Sequence, residues 1–524
     1  MHRPCTPVFA SGDDVVALAR VTRPGLARRP HPPCAACPAA GARAPPGPVV
    51  PVSADSPVTS PVLERLAEAA AGGPIDLPSI VPPDTRLEPM VDRVLEPFQQ
   101  FAHAEASGGL VLLFNALLAL AWANSPWGDS YHHLWATPLT IGVPGFGLTE
   151  SLHHWINDGL MAVFFFVVGL EIKREILVGE LASVRQAALP LFAAVGGMVV
   201  PAAVFSALTV GSAAARGWGV PMATDIAFAL GVAALLGPRV PTSLKVFLAA
   251  LAIVDDIGAV LVIAFFYTAS IQVGALAVAA VVLLGLVGLN RAGVRSALPY
   301  FALGAILWIA FLKSGVHATV SGVLLAFTIP ASTRISGQQF LHESLSHITR
   351  FDAACADDPA EFRTVQRHQE PIFALEETVQ RAQSPLLRLE HRLHFFVAFF
   401  IMPLFALANA GVALPADLGA ALGDAAVLGI FFGLLLGKPL GITLFAWLAV
   451  RLRLADLPHG TGWRHIVGVG ALGGIGFTMA LFIAALAFGD GAALESAKLG
   501  ILAGSLVAGL TGWLLLRRSP AAPR

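Results

Sequence analysis

The stretch VFLAALAIVDDIGAVLVIAFF, Val246 to Phe266, decides the fold. Apart from two adjacent aspartates at its centre it is apolar, and its length is that of a helix crossing a bilayer. A carboxylate at mid-membrane is costly, so Asp255 and Asp256 point to a task rather than to decoration. Two further ionisable residues fall at the same depth of other apolar runs. Asp225 lies near the middle of VPMATDIAFALGVAALLG, and Lys438 is the midpoint of AAVLGIFFGLLLGKPLGITLFAWLAV. Three acids and one base at the midplane read as an ion-binding centre, through which a small cation passes.

Composition agrees. Of the 524 residues 56% are hydrophobic and 13% charged, about half the roughly 25% charge of an average soluble domain. So few charges cannot cover a soluble protein of this size, so most of the chain faces lipid. A net charge of −1 gives no basis for a nucleic-acid partner. The four cysteines, Cys5, Cys34, Cys37 and Cys355, all lie outside the apolar runs. Cys34 and Cys37 form a lone CxxC with no second pair to complete a zinc site, so no cofactor is expected.

Residues 1–95 are rich in Pro, Ala, Gly and Arg, have no sustained apolar period and read as a disordered extension. They lack the apolar core of a secretory leader. An alternative start is Met90, which opens an amphipathic lead, MVDRVLEPFQQF. The membrane domain is expected over 96–518, with a cytoplasmic tail at 519–524. Twelve spans are expected near 108–123, 152–172, 187–210, 220–237, 246–266, 273–289, 297–312, 317–330, 395–414, 425–450, 466–488 and 499–516. Backbone polar groups in lipid must be satisfied within the segment, which makes these helices.

Loop charges support the count. Lys173, Arg174 and Arg185, then Arg239 and Lys245, then Arg291 and Arg295, fall in alternate loops. The stretch from Arg334 to Arg392, the group Arg451, Arg453 and Arg464, and the pair Arg517 and Arg518 continue the series. The intervening loops are poor in Lys and Arg and carry Asp417, Asp424, Asp490 and Glu495. That alternation puts both termini in the cytoplasm. On the outer face, TPLTIGVPGFGLTE (Thr137 to Glu150) reads as a small β-hairpin. The polar insert at 331–390 has room for a short cytoplasmic helix, because FALEETVQRAQSPLLRLEHRL carries helical periodicity.

On a helix Asp255 and Asp256 are about 100° apart, so one faces an aqueous funnel while the other faces a neighbour. Sodium takes hard oxygen ligands, which carboxylates, Thr hydroxyls and backbone carbonyls supply. A carboxylate that holds the cation also holds protons, and competition for one site is enough for exchange. Asp225 follows Thr224 in a span opened by Gly219 and Pro221, residues that loosen a helix. The eleventh span carries GALGGIGF, Gly470 to Phe477, with Gly473, Gly474 and Gly476 close together. Spans 4 and 11 thus read as two broken, crossing helices in corresponding places of inverted repeats, although ordinary small-residue packing gives glycines too. Asp225 would balance the positive helix ends there and Lys438 the negative ones.

At the inner end of the second span, GLEIKRE clusters Glu171, Lys173, Arg174 and Glu175; spacing alone favours a solvated anchor. His317, in LKSGVHATVSG, fits a proton-sensitive group and an interfacial histidine equally. Asp158, in WINDG, is nearer the outside and has no assigned part.

Together HWINDGLMAVFFFVVGLEIKRE, PMATDIAFALGV, ALAIVDDIGA, LKSGVHATVSG, PLFALANAGV, GKPLGI and GGIGFTMALFIA resemble, in order, the NhaA family of bacterial inner-membrane sodium/proton antiporters. The family is among the examples on which the broken-helix rule rests. The resemblance implies that Asp256 is the principal cation- and proton-binding carboxylate, that Asp255 assists it in holding Na+, and that Lys438 pairs with Asp255. It implies that Thr224, Asp225 and the Gly473–Phe477 break form a crossing of extended segments. It also implies a cytoplasmic pH-responsive surface of Glu171, Lys173, Arg174, Glu175, Glu390, His391 and His394, and a homodimer through the 137–150 hairpin. The extension and the longer insert depart from the family pattern.

The expected activity is electrogenic export of Na+ or Li+ for about two protons by alternating access, one net charge inward being worth about 2.3 kcal/mol per 100 mV. A sodium-coupled solute carrier of related fold is the alternative, but no residue cluster suggests an organic-substrate pocket. An intramembrane aspartyl protease would need two acids sharing a proton, and a neighbouring Lys438 would hold one of them ionised. Nor is Ser314 with His317 a catalytic pair without an oxyanion site, so no enzyme activity is expected.

Overall fold

The computed structural model describes residues 107–519, apart from 143–146, 269–270, 358–365, 414, 416, 418, 420–421 and 490. The expected extension, the lead from Met90, the hairpin tip, Asp490 and the end of the tail lie outside the described residues.

The apolar runs become helices. Helix α1 (Ser107–Ala123) ends before Pro126, which has no N–H to continue the ladder, and α2 (Gly128–Ala136) leaves at 113°. Strands β1 (Pro138–Ile141) and β2 (Leu148–Ser151) pair antiparallel, Pro138 opposite Ser151 and Ile141 opposite Leu148. The hydroxyls of Thr140 and Thr149 lie 2.8 Å apart across the ladder. A π-helical turn, Trp155–Leu160, leads into α3 (Met161–Val178), and α4 (Val184–Leu208) follows. A 3-10 helix, Ala213–Met222, runs into three extended residues and then α5 (Ile226–Leu235). The two helical pieces differ in direction by 46°.

Next come α6 (Thr242–Phe266), α7 (Val273–Arg291) and α8 (Ala297–Ser314). Gly315, at φ 84°, takes the left-handed conformation that closes α8. Helix α9 (Val320–Thr328) is short. The insert then forms α10 (Gly337–Asp357) and α11 (Gln366–Ala382). Helix α12 (Pro385–Phe396) continues through a π-helical turn into α13 (Met402–Asn409). Likewise α14 (Ala425–Phe432) passes through π-helical Gly433–Gly437 into α15 (Lys438–Arg451). Helix α16 (Trp463–Gly473) and α17 (Phe477–Phe488) are again bent by 46°, and α18 (Ala492–Arg517) closes the bundle.

Among the described residues seven helices are long and apolar enough to cross a membrane, or ten spans if each bent pair is one. The two expected spans that length and composition do not single out have plain causes. Helix α3 carries charges in its last turns, and α9 has only nine residues, about 13 Å of rise.

The insert holds more helix than expected. Its expected helix, 373–393, is in fact divided between α11 and α12, because Ser384 starts a new helix: its hydroxyl accepts the Leu387 N–H at 3.3 Å, and Pro385 fills the first turn.

Packing of α4 against α15 sets the depth of the buried lysine. A Cβ on Gly196 would collide with the Gly441 carbonyl and one on Gly441 with that of Gly196, so the two backbones touch there. Gly437 meets Pro201 in the same way. Lys438 follows directly and is fully buried.

Candidate ion site at the crossing of two chain breaks

The breaks at 223–225 and 474–476 bind to each other. The Asp225 N–H donates to the Ile475 carbonyl at 2.7 Å. The Thr224 hydroxyl lies 2.9 Å from the Gly473 carbonyl and 2.6 Å from Asp255 Oδ2. With one proton to give, it serves either acceptor or is shared between them.

Asp225 caps two helices. Its Oδ1 accepts the Phe228 N–H at 3.0 Å, at the start of α5. Its Oδ2 accepts the Thr478 N–H at 3.2 Å, at the start of α17, and also the Thr478 hydroxyl at 2.5 Å. One carboxylate thus sits at two positive helix ends. At the end of α16 the Gly473 and Ile475 carbonyls are met by the Thr224 hydroxyl and the Asp225 amide, while Lys438 contacts Asp255 instead.

Asp255 and Asp256 are both about 1% exposed on α6. Asp255 Oδ2 is held by the Lys438 ammonium and faces the Thr224 hydroxyl, whereas its Oδ1 is buried with no hydrogen-bond partner. Asp256 Oδ1 is likewise buried without a partner. Buried polar atoms are nearly always satisfied, so an open carboxylate oxygen on each of two consecutive residues marks a region that takes something else. The donors gathered there are hard: carboxylate oxygens, a hydroxyl and a backbone carbonyl.

The glycines of the second break serve closeness. Gly474 and Gly476 have φ of −71° and −86°, available to any residue. A Cβ on Gly474 would strike the Leu434 carbonyl, and one on Gly476 would lie 3.2 Å from the Ala223 carbonyl.

A second charged cluster lies where the last turns of α3 meet α12. Arg174 pairs with Glu390 and, at 2.8 Å, with Glu175; His394 Nδ1 lies 3.6 Å from Glu171. Lys173 is drawn elsewhere, donating to the Phe327 and Ile329 carbonyls at the end of α9. His391 is exposed and outside the cluster.

On the opposite side Asp158 is bracketed by two histidines, His154 Nε2 at 2.8 Å and His317 Nε2 at 3.3 Å. The His317 ring also meets Phe482 of α17 edge-on, at 5.4 Å between centroids. Asn409, buried at the end of α13, bonds Asn157 at 2.9 Å. Sequence reasoning missed Thr478 and Asn409, and it left Asp158 without its histidines. All are small or common polar residues whose partners lie far away along the chain. The one local signal was the i, i+4 spacing of His154 and Asp158.

Helices of this apolar character, crossing around buried charge, define an integral membrane protein with a candidate ion site among its spans. The family model for "Na+/H+ antiporter 1" matches residues 99–516. The chain is 52% identical over 427 residues to the "Na(+)/H(+) antiporter NhaA" of Oleidesulfovibrio alaskensis, covering 82% of this chain and 95% of that protein. It is 52% identical over 427 residues to "Na(+)/H(+) antiporter NhaA 2" of Syntrophotalea carbinolica, with 81% and 97% covered. Against "Na(+)/H(+) antiporter NhaA" of Koribacter versatilis it is 51% identical over 435 residues, with 82% and 93% covered. The chain belongs to the NhaA family of Na+/H+ antiporters.

Proposed function

We propose that the chain expels Na+ or Li+ and takes up protons, about two per cation, by alternating access across a bacterial inner membrane. The open Asp256 oxygen carries this reading. A buried carboxylate with an unfilled lone pair, beside an acid already neutralised by Lys438, holds either a proton or a cation but not both. With Thr224 and the Gly473 carbonyl nearby, a dehydrated Na+ finds oxygens in place of its water. Na+, Li+ and H+ are cargo, and no cofactor is needed. The second proton is carried by the Asp255–Lys438 pair, and the net charge moved makes the exchange respond to voltage.

Twelve spans with both termini cytoplasmic fit this reading, the ten counted by length and composition being joined by α3 and α9. Then the Arg174–Glu390 and Glu171–His394 contacts form an inner surface whose charge follows pH, because histidine titrates near neutrality. The β1–β2 hairpin, largely exposed, is the element for a homodimer.

The test is proton flux in reconstituted vesicles with Na+, Li+ or K+ added in turn. Asp256→Asn is expected to insert normally and to show no cation-driven flux, since an amide cannot cycle between proton and cation. Flux at wild-type rates in that variant refutes the site.

A further inference from the structure

A pocket of about 390 Å³ lies between the end of α2, the base of the hairpin and the start of α18. None of its lining residues is among those assigned above to the ion site. Tyr131, Trp135, Ser151, Glu495 and Lys498 are among its lining residues. Tyr131 is satisfied, donating to the Leu407 or Ala408 carbonyl and accepting the Gly411 N–H at 3.2 Å.

Two other groups are not satisfied. Trp135 is 8% exposed, and its buried indole N–H, beside the Tyr131 hydroxyl, makes no hydrogen bond of good geometry. Glu495 gives one oxygen to Lys498 at 2.9 Å, while its Oε2 is buried without a partner. A poorly satisfied donor and an orphan anionic acceptor line one cavity. Such atoms cost free energy unless something fills them.

The charge balance selects the occupant. Glu495 and Lys498 neutralise each other, and His132 and His153 are the other titratable groups of the lining, so a bare cation would meet the lysine and a bare anion the glutamate. A zwitterion answers both, its cationic end on Glu495 Oε2 and its anionic end on the Trp135 N–H and the Lys498 ammonium. The cationic end must carry N–H to satisfy the carboxylate oxygen.

We propose that this pocket binds a phosphoethanolamine zwitterion, supplied as the headgroup of phosphatidylethanolamine. The lipid source follows from position and rests on the reading that α18 spans the membrane. Glu495 and Lys498 lie in its first two turns, where a spanning helix meets the headgroup layer and tryptophan is enriched. Leu134, beside Trp135 on α2, and Leu139, on β1 across from the neighbour of Ser151, are both exposed and offer apolar surface to the tails.

The test uses purified, delipidated full-length protein in a non-ionic detergent and reads the melting temperature, so it is independent of ion exchange. Dioleoyl-phosphatidylethanolamine is expected to raise it. Dioleoyl-phosphatidylcholine, whose trimethylammonium has no N–H, is expected to bind about tenfold more weakly. Trp135→Phe keeps the ring and removes the donor, and Glu495→Gln removes the charge. Both are expected to lose the preference for ethanolamine over choline, the lipid-free melting temperature of each variant reporting on its fold. Equal shifts with the two lipids, or a preference retained in both variants, overturns the proposal. An equal shift with soluble O-phosphoethanolamine keeps the site but overturns the lipid as its source. The same shift with inorganic phosphate or ethylammonium alone overturns the zwitterion.

Discussion

The two chain breaks cross each other but contribute opposite things. The break at 223–225 gives side chains: a hydroxyl and a carboxylate that reach across to the other segment. The break at 474–476 gives backbone: carbonyls that accept from the first break, and glycines that let it approach. Inverted repeats would make the two equivalent in shape, yet their chemistry is divided. A single carboxylate serves both helix starts because the second break brings its own start to Asp225 rather than supplying an acid.

Lys438 tests how far this division goes, and its loss is expected to be the largest effect. It bonds Asp255, on whose Oδ2 the Thr224 hydroxyl of the first break also converges. Lys438→Ala would leave Asp255 buried and unpaired, a loss of about 3–5 kcal/mol, read as a fall in unfolding midpoint in detergent. Lys438→Arg keeps the charge, since guanidinium does not deprotonate in proteins. Flux measured under an imposed membrane potential then separates two roles. An Arg variant whose voltage response equals wild type limits Lys438 to neutralising Asp255; electroneutral or lost transport makes it a proton carrier.

Asp225 comes next. Asp225→Ala removes two caps at about 0.5–2 kcal/mol each and strands the Thr478 hydroxyl and amide. A double-mutant cycle with Thr478→Val is expected to show coupling, because the valine removes one of the two hydrogen bonds that join the residues, the one from the hydroxyl. Additive losses would mean that the Thr478 hydroxyl adds nothing to the link and that Asp225 holds α17 through its amide alone.

These contrasts were legible in the sequence to different degrees. Asp255, Asp256, Asp225 and Lys438 announced themselves, since a charge within an apolar run has no bland explanation. The glycines of GALGGIGF marked the second break for the same reason of context. Thr478 did not stand out: a threonine in a membrane helix usually bonds its own turn, and only the fold brings it to Asp225. Lys173 looked like a member of the inner charged cluster because it sits between Glu171 and Arg174. Neighbours on a helix point in different directions, however, and Lys173 reaches the end of α9. The insert was under-read because α10 and α11 carry short amphipathic patterns beside long apolar runs, although Ser384–Pro385 was a readable helix start.

The smallest effect sharpens the comparison most. If the second break needs glycine for closeness, substitutions there should follow the space around each Cβ rather than chain flexibility. At Gly474 an added methyl meets the Leu434 carbonyl, backbone that cannot swing away, with Ala508 Cβ at 3.0 Å. Gly474→Ala is therefore expected to cost about 1–3 kcal/mol by overpacking. At Gly473 the methyl meets only the tip of Ile442 at 2.9 Å, a flexible end, with the Thr224 hydroxyl at 3.9 Å. Alanine is also the better helix former, by about 1 kcal/mol, and Gly473 is the last residue of α16. The two terms offset, so Gly473→Ala should leave the unfolding midpoint almost unchanged. Equal losses at the two positions would show that the break depends on glycine's freedom to move during transport, not on how closely the segments cross.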